Sequence, residues 1–347
     1  MVANPPRFDA RPHGRRSGSR RRHAVVGVVL ATVLGLSGCT HSSNRTGAPP
    51  QQAAAQGMTV SGEWPLTGLP TSGAAPRHPV MVVKIDNSAA SKPQVGLSKA
   101  DLVTEELVEG GSTRLAVFFY QHIPRLVGPV RSMRASDIGI VKPAKAVLVA
   151  SGGAPPTVRR VKAAGIRTFT DGAPGYHRVP TRTAPYNLFM TLTKLAATVT
   201  AKTAVPSYLP FGSAKDLPKG RPATGLSAVF SGGHTTRWAY AGGRYTCQNG
   251  FAATGDSFRP DTVLVLRVKV GNAGYLDPAG NPVPETTFTG TGAALLFHGG
   301  RVVKGTWKKA LDSAISLSTP AGPLSVPAGH TWIELVPRNG GRVVVSR

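Results

Sequence analysis

The sequence predicts an α+β chain in two parts, and three observations carry that prediction. Between about residues 79 and 199, short strand-like runs alternate with helix-like periodicity. From about Leu226 the pattern changes to short strand runs separated by Gly, Pro, Asn and Asp. Between the two lies a Pro/Gly-rich stretch, Pro206 to Gly225.

The first forty residues give an address. A basic run around Arg15 to Arg22 precedes an uncharged apolar run, Ala24 to Gly38, which ends in Leu36-Ser37-Gly38-Cys39. That run is about half to two-thirds the length of a spanning helix. With its basic flank it reads as a secretory signal. Small residues before a cysteine resemble a bacterial lipobox, in which Cys39 is acylated and becomes the new N-terminus. Residues 1–38 are therefore expected to be a signal peptide. Lipid, of the palmitate kind, would hold the protein at the outer face of the cytoplasmic membrane. Residues 39–62 are polar, small and Pro/Gln/Ala-rich, and read as a flexible tether.

The 41 Lys and Arg against 16 Asp and Glu give a net charge of +25. Loss of residues 1–38 removes seven Arg and one Asp, leaving 34 against 15, or +19. Such an excess attracts polyanions. Export favours an anionic wall polymer or membrane surface over nucleic acid, with a membrane-protein partner as the other expectation. If Cys39 carries lipid, Cys247 is alone, which excludes an intrachain disulfide. Two cysteines also cannot build a Cys-rich zinc site, and no metal or cofactor is expected.

The first folded part, 63–205, opens with the apolar run Pro79 to Asp86. "LSKADLVTEEL" reads as a helix, with Ser98 as N-cap and Asp101 three positions on. Arg114 to Gln121 is rich in strand formers. "RSMRASDIGIV" carries a helical stripe, Ala146 to Gly153 reads as a buried strand, and "PTVRRVKAAG" as a helix. Tyr186 to Val199 has apolar residues at helical spacing. Residues 206–225 read as a linker and 226–347 as a β-rich domain. "YAGGRY" and "FHGGRV" place Gly-Gly between strand runs, the chemistry of a tight hairpin. Residues 151–225 hold eleven basic and two acidic residues, net +9, the best candidate for a polyanion-facing patch.

Four of the 16 acidic residues fall within Asp101 to Glu109. On a helix Asp101, Glu105 and Glu109 share one face and repel by a few tenths of a kcal/mol per pair. Compensation is expected from Arg114, and from Arg131 and Arg134, three apart on a second helical face. One outcome is an architectural ion-pair network of Glu105, Glu109, Arg114, Arg131 and Arg134. The other is a cleft in which the arginines grip an anion, Asn87 adds a polar contact, and Ser132 binds phosphate beside Arg131.

Other chemistry has little support. "VASGGAP" lacks the Gly-x-Ser-x-Gly elbow. No two His stand four apart around a Glu as in zinc hydrolases. His177 and His234 read as surface or satisfied histidines, and Trp238, Trp307 and Trp332 as core anchors. The "SGG" turn presents backbone N–H groups that an anion could use.

From Pro79 onward the chain resembles the YerB-like bacterial lipoproteins, a family of unknown function. The resemblance lies in "HPVMVVKIDNSAASKPQVGLSKADLVTEELVEGGSTRLAVFFYQ", "VGPVRSMR", "RTAPYNLF", "TRWAYAGGRYTC", "GTGAALLFHGGRVVKGTWKK" and "GHTWIELVP", over about residues 66–337. It implies a layered sheet-and-helix N-terminal domain followed by a smaller β-rich C-terminal domain, and no settled activity. Two positions depart from the family pattern: Ser151 and Tyr186 stand where members often have His. The leading expectation is a non-catalytic, lipid-anchored envelope protein. The alternative is an enzyme acting on envelope glycans or phosphorylated polymers through the acidic/arginine cleft.

Overall fold

The computed structural model describes residues 62–71 and 73–347. The expected signal segment, Cys39 and the tether up to residue 61 lie outside the described residues. Among the described residues strands dominate, and α-helix is confined to three short segments: Asp137–Val141 (α1), Pro155–Ala163 (α2) and Leu192–Ala196 (α3). The α+β expectation thus holds in its coarse form, with fewer helices than the sequence periodicity suggests.

The first half supplies Met81–Asp86 (β1), Leu102–Leu107 (β2), Thr113–Phe119 (β3), Val147–Val149 (β4) and Thr168–Phe169 (β5). A small hairpin of Tyr176–Arg178 (β6) and Leu188–Met190 (β7) follows. The second half supplies Gly225–Val229 (β8), Thr235–Ala241 (β9), Arg244–Cys247 (β10), Thr262–Leu276 (β11), Pro282–Thr287 (β12), Gly290–His298 (β13), Arg301–Lys309 (β14), Ser316–Thr319 (β15), Thr331–Pro337 (β16) and Arg342–Ser346 (β17). The turns Gly242-Gly243 (φ 57 and 81) and Gly299-Gly300 (φ 58 and 68) both take the left-handed conformation that a tight hairpin requires.

One mixed sheet runs through both halves in the order β15-β14-β13-β11-β16-β2-β3-β1-β4-β5. Its junction is a parallel pairing of β2 with β16, from Leu102 opposite Thr331 to Glu106 opposite Leu335. β4 also lies parallel to β1, and α2 crosses over to the parallel strand β5. A four-stranded sheet, β10-β9-β8-β17, covers part of one face. Its Leu226, Ala228, Phe230 and Trp238 join Val83, Val103, Val117 and Trp332 in one core. The opposite face packs Val82, Leu102, Phe118, Leu264, Ile333 and Leu335 under α1, α2 and the segment around Tyr208. Because the sheet is covered on both sides, its central strands read as nearly unbroken apolar runs.

Four expectations are corrected. "LVTEEL" is β2, a strand, although Leu and Glu favour helices. It is paired on both edges and buried on both faces, and such tertiary packing outweighs a few tenths of a kcal/mol of local propensity. Ser98 does not cap a helix there: its N–H and hydroxyl donate to Asp256 Oδ1 at 3.0 and 2.6 Å. Asp101 instead accepts the backbone N–H groups of Tyr120 and Gln121 at 2.6 and 3.1 Å, tying off the end of β3. Arg131 and Arg134 precede α1 rather than sharing a helical face, and Tyr186 to Val199 is a strand followed by the single turn and a half of α3. Residues 206–225, expected to be a linker, are partly packed: Tyr208 and Leu209 are buried, and Tyr208 Oη donates to the Ile140 carbonyl at 2.9 Å.

The β2–β16 pairing makes each half the partner of the other. Residues 62–205 produced alone expose the β2 edge and one side of each core. They are expected to give no cooperative melting transition, and co-production with residues 206–347 is expected to restore a single one. Calorimetry showing two independent transitions would contradict this.

Candidate functional site

Side chains alternate along a strand, so β2 sends Glu105 to one face of the sheet and Glu106 to the other. Glu106 meets Lys84 of β1, which stands in the otherwise apolar run "MVVKID". Lys84 Nζ lies 2.6 Å from Glu106 Oε1 and 2.8 Å from Asp137 Oδ1 at the start of α1, with all three side chains wholly buried. Burial works to lower the Lys84 pKa, but the two carboxylates overcome it and raise it. Burial, together with neighbouring Asp137, pushes Glu106 up, and Lys84 offsets this only in part.

Toward the carboxyl ends of β1 and β2 the same face carries a second set of charges. Glu109 lies in the turn after β2, where Gly110 and Gly111 (φ 67 and 68) reverse the chain into β3. Arg114 Nη2 donates to it at 2.9 Å and Arg134 Nε at 2.8 Å, with a further bond from Arg134 Nη2. Burial works against the Glu109 carboxylate, but the Arg134 hydrogen bonds and both guanidinium charges hold its pKa at about 2. Arg114, nearly buried and beside Arg134, is lowered to about 10. It also donates from Nη1 to the Ser132 carbonyl at 3.0 Å. Arg131 pairs with Asp86 (Nε to Oδ2, 2.9 Å) and lies over the Tyr186 ring at 5.2 Å. Ser132 Oγ is 3.3 Å from Ser151 Oγ. The two positions that depart from the family pattern, Ser151 and Tyr186, therefore flank Arg131 and Ser132.

Glu105 does not join this group, because it points to the opposite face. Its Oε1 accepts from Asn87 Nδ2 (2.9 Å), Thr113 Oγ1 (2.7 Å) and Thr236 Oγ1 (2.9 Å), and stands 2.9 Å from His234 Nε2. Thr236 and His234 arrive from β9 and the loop before it, so the four-stranded sheet closes over the carboxylate. The register of β2 against β16 places Glu334 directly beside Glu105. Trp238 Nε1 donates to Glu334 Oε1 at 2.7 Å. Burial raises the Glu105 pKa, yet the His234 and Thr113 contacts win and lower it. Burial, then the Glu105 charge, drive Glu334 far above the usual carboxyl range. Side by side, the two carboxyls are pushed in opposite directions, Glu105 down and Glu334 up.

Of the expected cluster the structure brings Glu109, Arg114 and Arg134 together, with Arg131 and Ser132 adjoining, and leaves Glu105 apart. Sequence reasoning missed Asp86, Lys84, Asp137, His234, Thr236 and Glu334. A signal existed for two of these: Lys84 in "MVVKID" and Glu334 in "TWIELVP" are each an interior charge in a run otherwise suited to burial.

The amino ends of β1, β4 and β5 frame a cleft of about 380 Å3. Lys142, Lys145, Arg167 and Lys202 line it above Val147, Ile166, Val199 and Val205, and no carboxylate is among its lining residues. Lys145 is the one non-glycine among the described residues with positive φ (48°). Lys142 reaches Asp312 at 3.0 Å, while Lys145, Arg167 and Lys202 are exposed. Among the described residues no three His, Cys, Asp or Glu side chains converge to hold a metal ion. Burial pushes the Cys247 thiol up to about 12. No described helix is long and apolar enough to cross a membrane.

Residues 66–205 match the family model described as Protein of unknown function (DUF3048) N-terminal domain, and residues 226–333 match the corresponding C-terminal domain. The chain belongs to this YerB-like family. A Bacillus subtilis (strain 168) protein named "Putative lipoprotein YerB" is 38% identical over 109 residues, 31% of this chain and 32% of that protein. That alignment spans about a third of the relative's length. The crystal structure of YerB protein from Bacillus subtilis has the same fold: TM-score 0.68 at 22% identity, covering 81% of this chain and 99% of the other.

The buried Lys84 triad gives a direct stability test. Lys84→Met leaves Glu106 and Asp137 without their cation and is expected to cost about 3–5 kcal/mol in chemical denaturation. Adding Glu106→Gln is expected to recover part of that loss. A cost of Lys84→Met below about 1 kcal/mol would show that the triad is not what holds these strands together.

Proposed function

We propose that this protein is a lipid-anchored envelope protein that binds an anionic, phosphate-bearing component of the wall or membrane surface without catalysing a reaction. The carrying observation is the cleft of Lys142, Lys145, Arg167 and Lys202, whose lining includes no carboxylate. Two of its cations, Arg167 and Lys202, come from the strongly basic stretch 151–225. The lipobox ending in Cys39, and a relative whose name includes "lipoprotein", support anchoring outside the cytoplasm, where such anions are available.

The arginines at the opposite end of the strands suit this role less well. Arg114 and Arg134 are buried on Glu109, and Arg131 is engaged by Asp86, so binding an anion there must first displace a carboxylate. The same geometry disfavours the enzymatic alternative. A carboxylate held at about 2 carries no proton to donate near neutral pH and is a weak base.

Binding is tested on the full chain with poly(glycerol phosphate) by calorimetry at 50 and 200 mM salt. By the counterion argument, a few phosphate contacts give a log–log salt slope of roughly −2 to −4. The variant Lys145→Gln/Arg167→Gln/Lys202→Gln is expected to weaken binding at least about tenfold, which is ~1.4 kcal/mol. Equal binding by the variant and the original chain, or release of a hydrolysis product, would contradict the proposal.

A further inference from the structure

We infer that the cleft recognises an amphiphilic phosphate, with the phosphate on its cationic rim and an apolar substituent on its floor. This rests on the anion-binding reading above and adds what else the ligand must carry.

The floor is the first argument. A site for a wholly hydrophilic anion has no use for apolar surface, because such a ligand stays hydrated on every side except where cations touch it. Here the four cations stand around Val147, Ile166, Val199 and Val205. Val147 and Ile166 begin and precede the parallel strands β4 and β5, while Val199 and Val205 belong to the chain after α3. The floor is therefore built by the sheet and the segment packed beside it. Val205 is half-buried and offers part of its side chain to a ligand.

Size is the second argument. About 380 Å3 lies within the roughly 300–1,000 Å3 of small-molecule pockets and far exceeds a lone inorganic phosphate. The lining includes the aliphatic side chains of Val147, Ile166, Val199 and Val205, and a ligand that places hydrocarbon there removes its own apolar surface, and part of Val205, from water.

The third argument is how the cations are held. Lys145 occupies the left-handed region (φ 48°), which is uncommon for a residue with a β-carbon. Its backbone sits at the end of the turn Lys142–Ala144, with its N–H donating to the Lys142 carbonyl at 2.9 Å. This turn carries Lys142 and Lys145 to the same cleft. Arg167, by contrast, lies against the Phe169 ring with its guanidinium carbon 4.8 Å from the centroid, which restricts its swing into solvent. A turn that sets the two lysines on one cleft and a guanidinium limited by the Phe169 ring favour one headgroup position over a diffuse polyanion track.

A series of monoalkyl phosphates tests the inference without altering the protein. Inorganic, ethyl, butyl and hexyl phosphate are titrated into the full chain below their micelle concentrations. Affinity is expected to climb with chain length, by up to roughly fourfold per fully buried methylene, until the floor is covered. Val205→Thr, a near-isosteric change at a half-buried position, is expected to flatten the climb without changing the affinity for inorganic phosphate. The triple rim variant is expected to weaken every member alike, and it carries the same residues 1–61, so it controls for binding there. Phosphatidylcholine vesicles with and without phosphatidic acid then separate two sources of the same chemistry. Capture by the acidic vesicles assigns a membrane lipid, and binding of the alkyl phosphates alone assigns a soluble amphiphile. Equal affinity across the series while poly(glycerol phosphate) still binds would overturn the inference and leave the anion-binding reading standing. Failure of every phosphate ligand would overturn both.

Discussion

The parallel pairing of β2 with β16 is the constraint on which the rest of the molecule depends. It occupies the free edge of β2 and extends one sheet through sequence segments separated by more than two hundred residues. It also leaves β2 covered on both faces, so every side chain on that strand must find its partner inside the protein. For Leu102 and Val103 this is ordinary packing. For two adjacent glutamates it is a demand for charge, since an unpaired ionised carboxylate in such a place costs many kcal/mol. Alternation along the strand divides the demand. Glu106 draws Lys84 and Asp137 together on one face; Glu105 draws Asn87, Thr113, Thr236 and His234 on the other, and stands beside Glu334, whose pKa burial raises.

These contacts also say where ligands are excluded. Open sheets with parallel strands usually receive ligands beyond the strands' carboxyl ends. Here that end is filled by Glu109 with Arg114 and Arg134, and by Asp86 with Arg131. The amino ends of β1, β4 and β5 are left with cations in excess. The acidic cluster in the sequence therefore works as internal ballast for buried cations. The surplus of positive charge appears on the other side of the same strands.

Much of the fold was legible because its signals are local. The strands of the second half announced themselves by short apolar runs, and both Gly-Gly hairpins form where sequence placed them. α2, Pro155–Ala163, forms over the stretch "PTVRRVKAAG" that reads as a helix. What failed was "LVTEEL", where helix-favouring residues sit in the most enclosed strand of the molecule; nothing nearby in sequence reports that β16 will arrive beside it. The site was legible to the same degree. Opposite charges around Glu109 could be paired by reasoning about compensation, but the helix assumption put Glu105 on the wrong side. Glu334 and His234 come from distant segments, and only the long-range pairing brings them in. Yet the interior charges Lys84 in "MVVKID" and Glu334 in "TWIELVP" were visible hints that buried partners had to exist.

The carboxyl pair offers the most direct test that this pairing governs the structure. Glu334 is raised in the fold by burial and by Glu105, so its contribution is fully present below the ordinary carboxyl value of 4.5 and is lost as pH rises above it toward the raised folded value. Glu105, lowered in the fold, contributes in the opposite sense, above 4.5 and lost on acidification. Glu334→Gln keeps an acceptor for Trp238 and nearly the same shape but cannot titrate. Asp101, raised to about 6 by burial, titrates in both proteins and cancels from the comparison. The decisive measurement is the difference in melting temperature between Glu334→Gln and the original chain from pH 4 to pH 8. The variant should gain steadily over the original chain as pH rises through that range. A difference that stays constant with pH would show that the β2–β16 junction does not raise the Glu334 carboxyl.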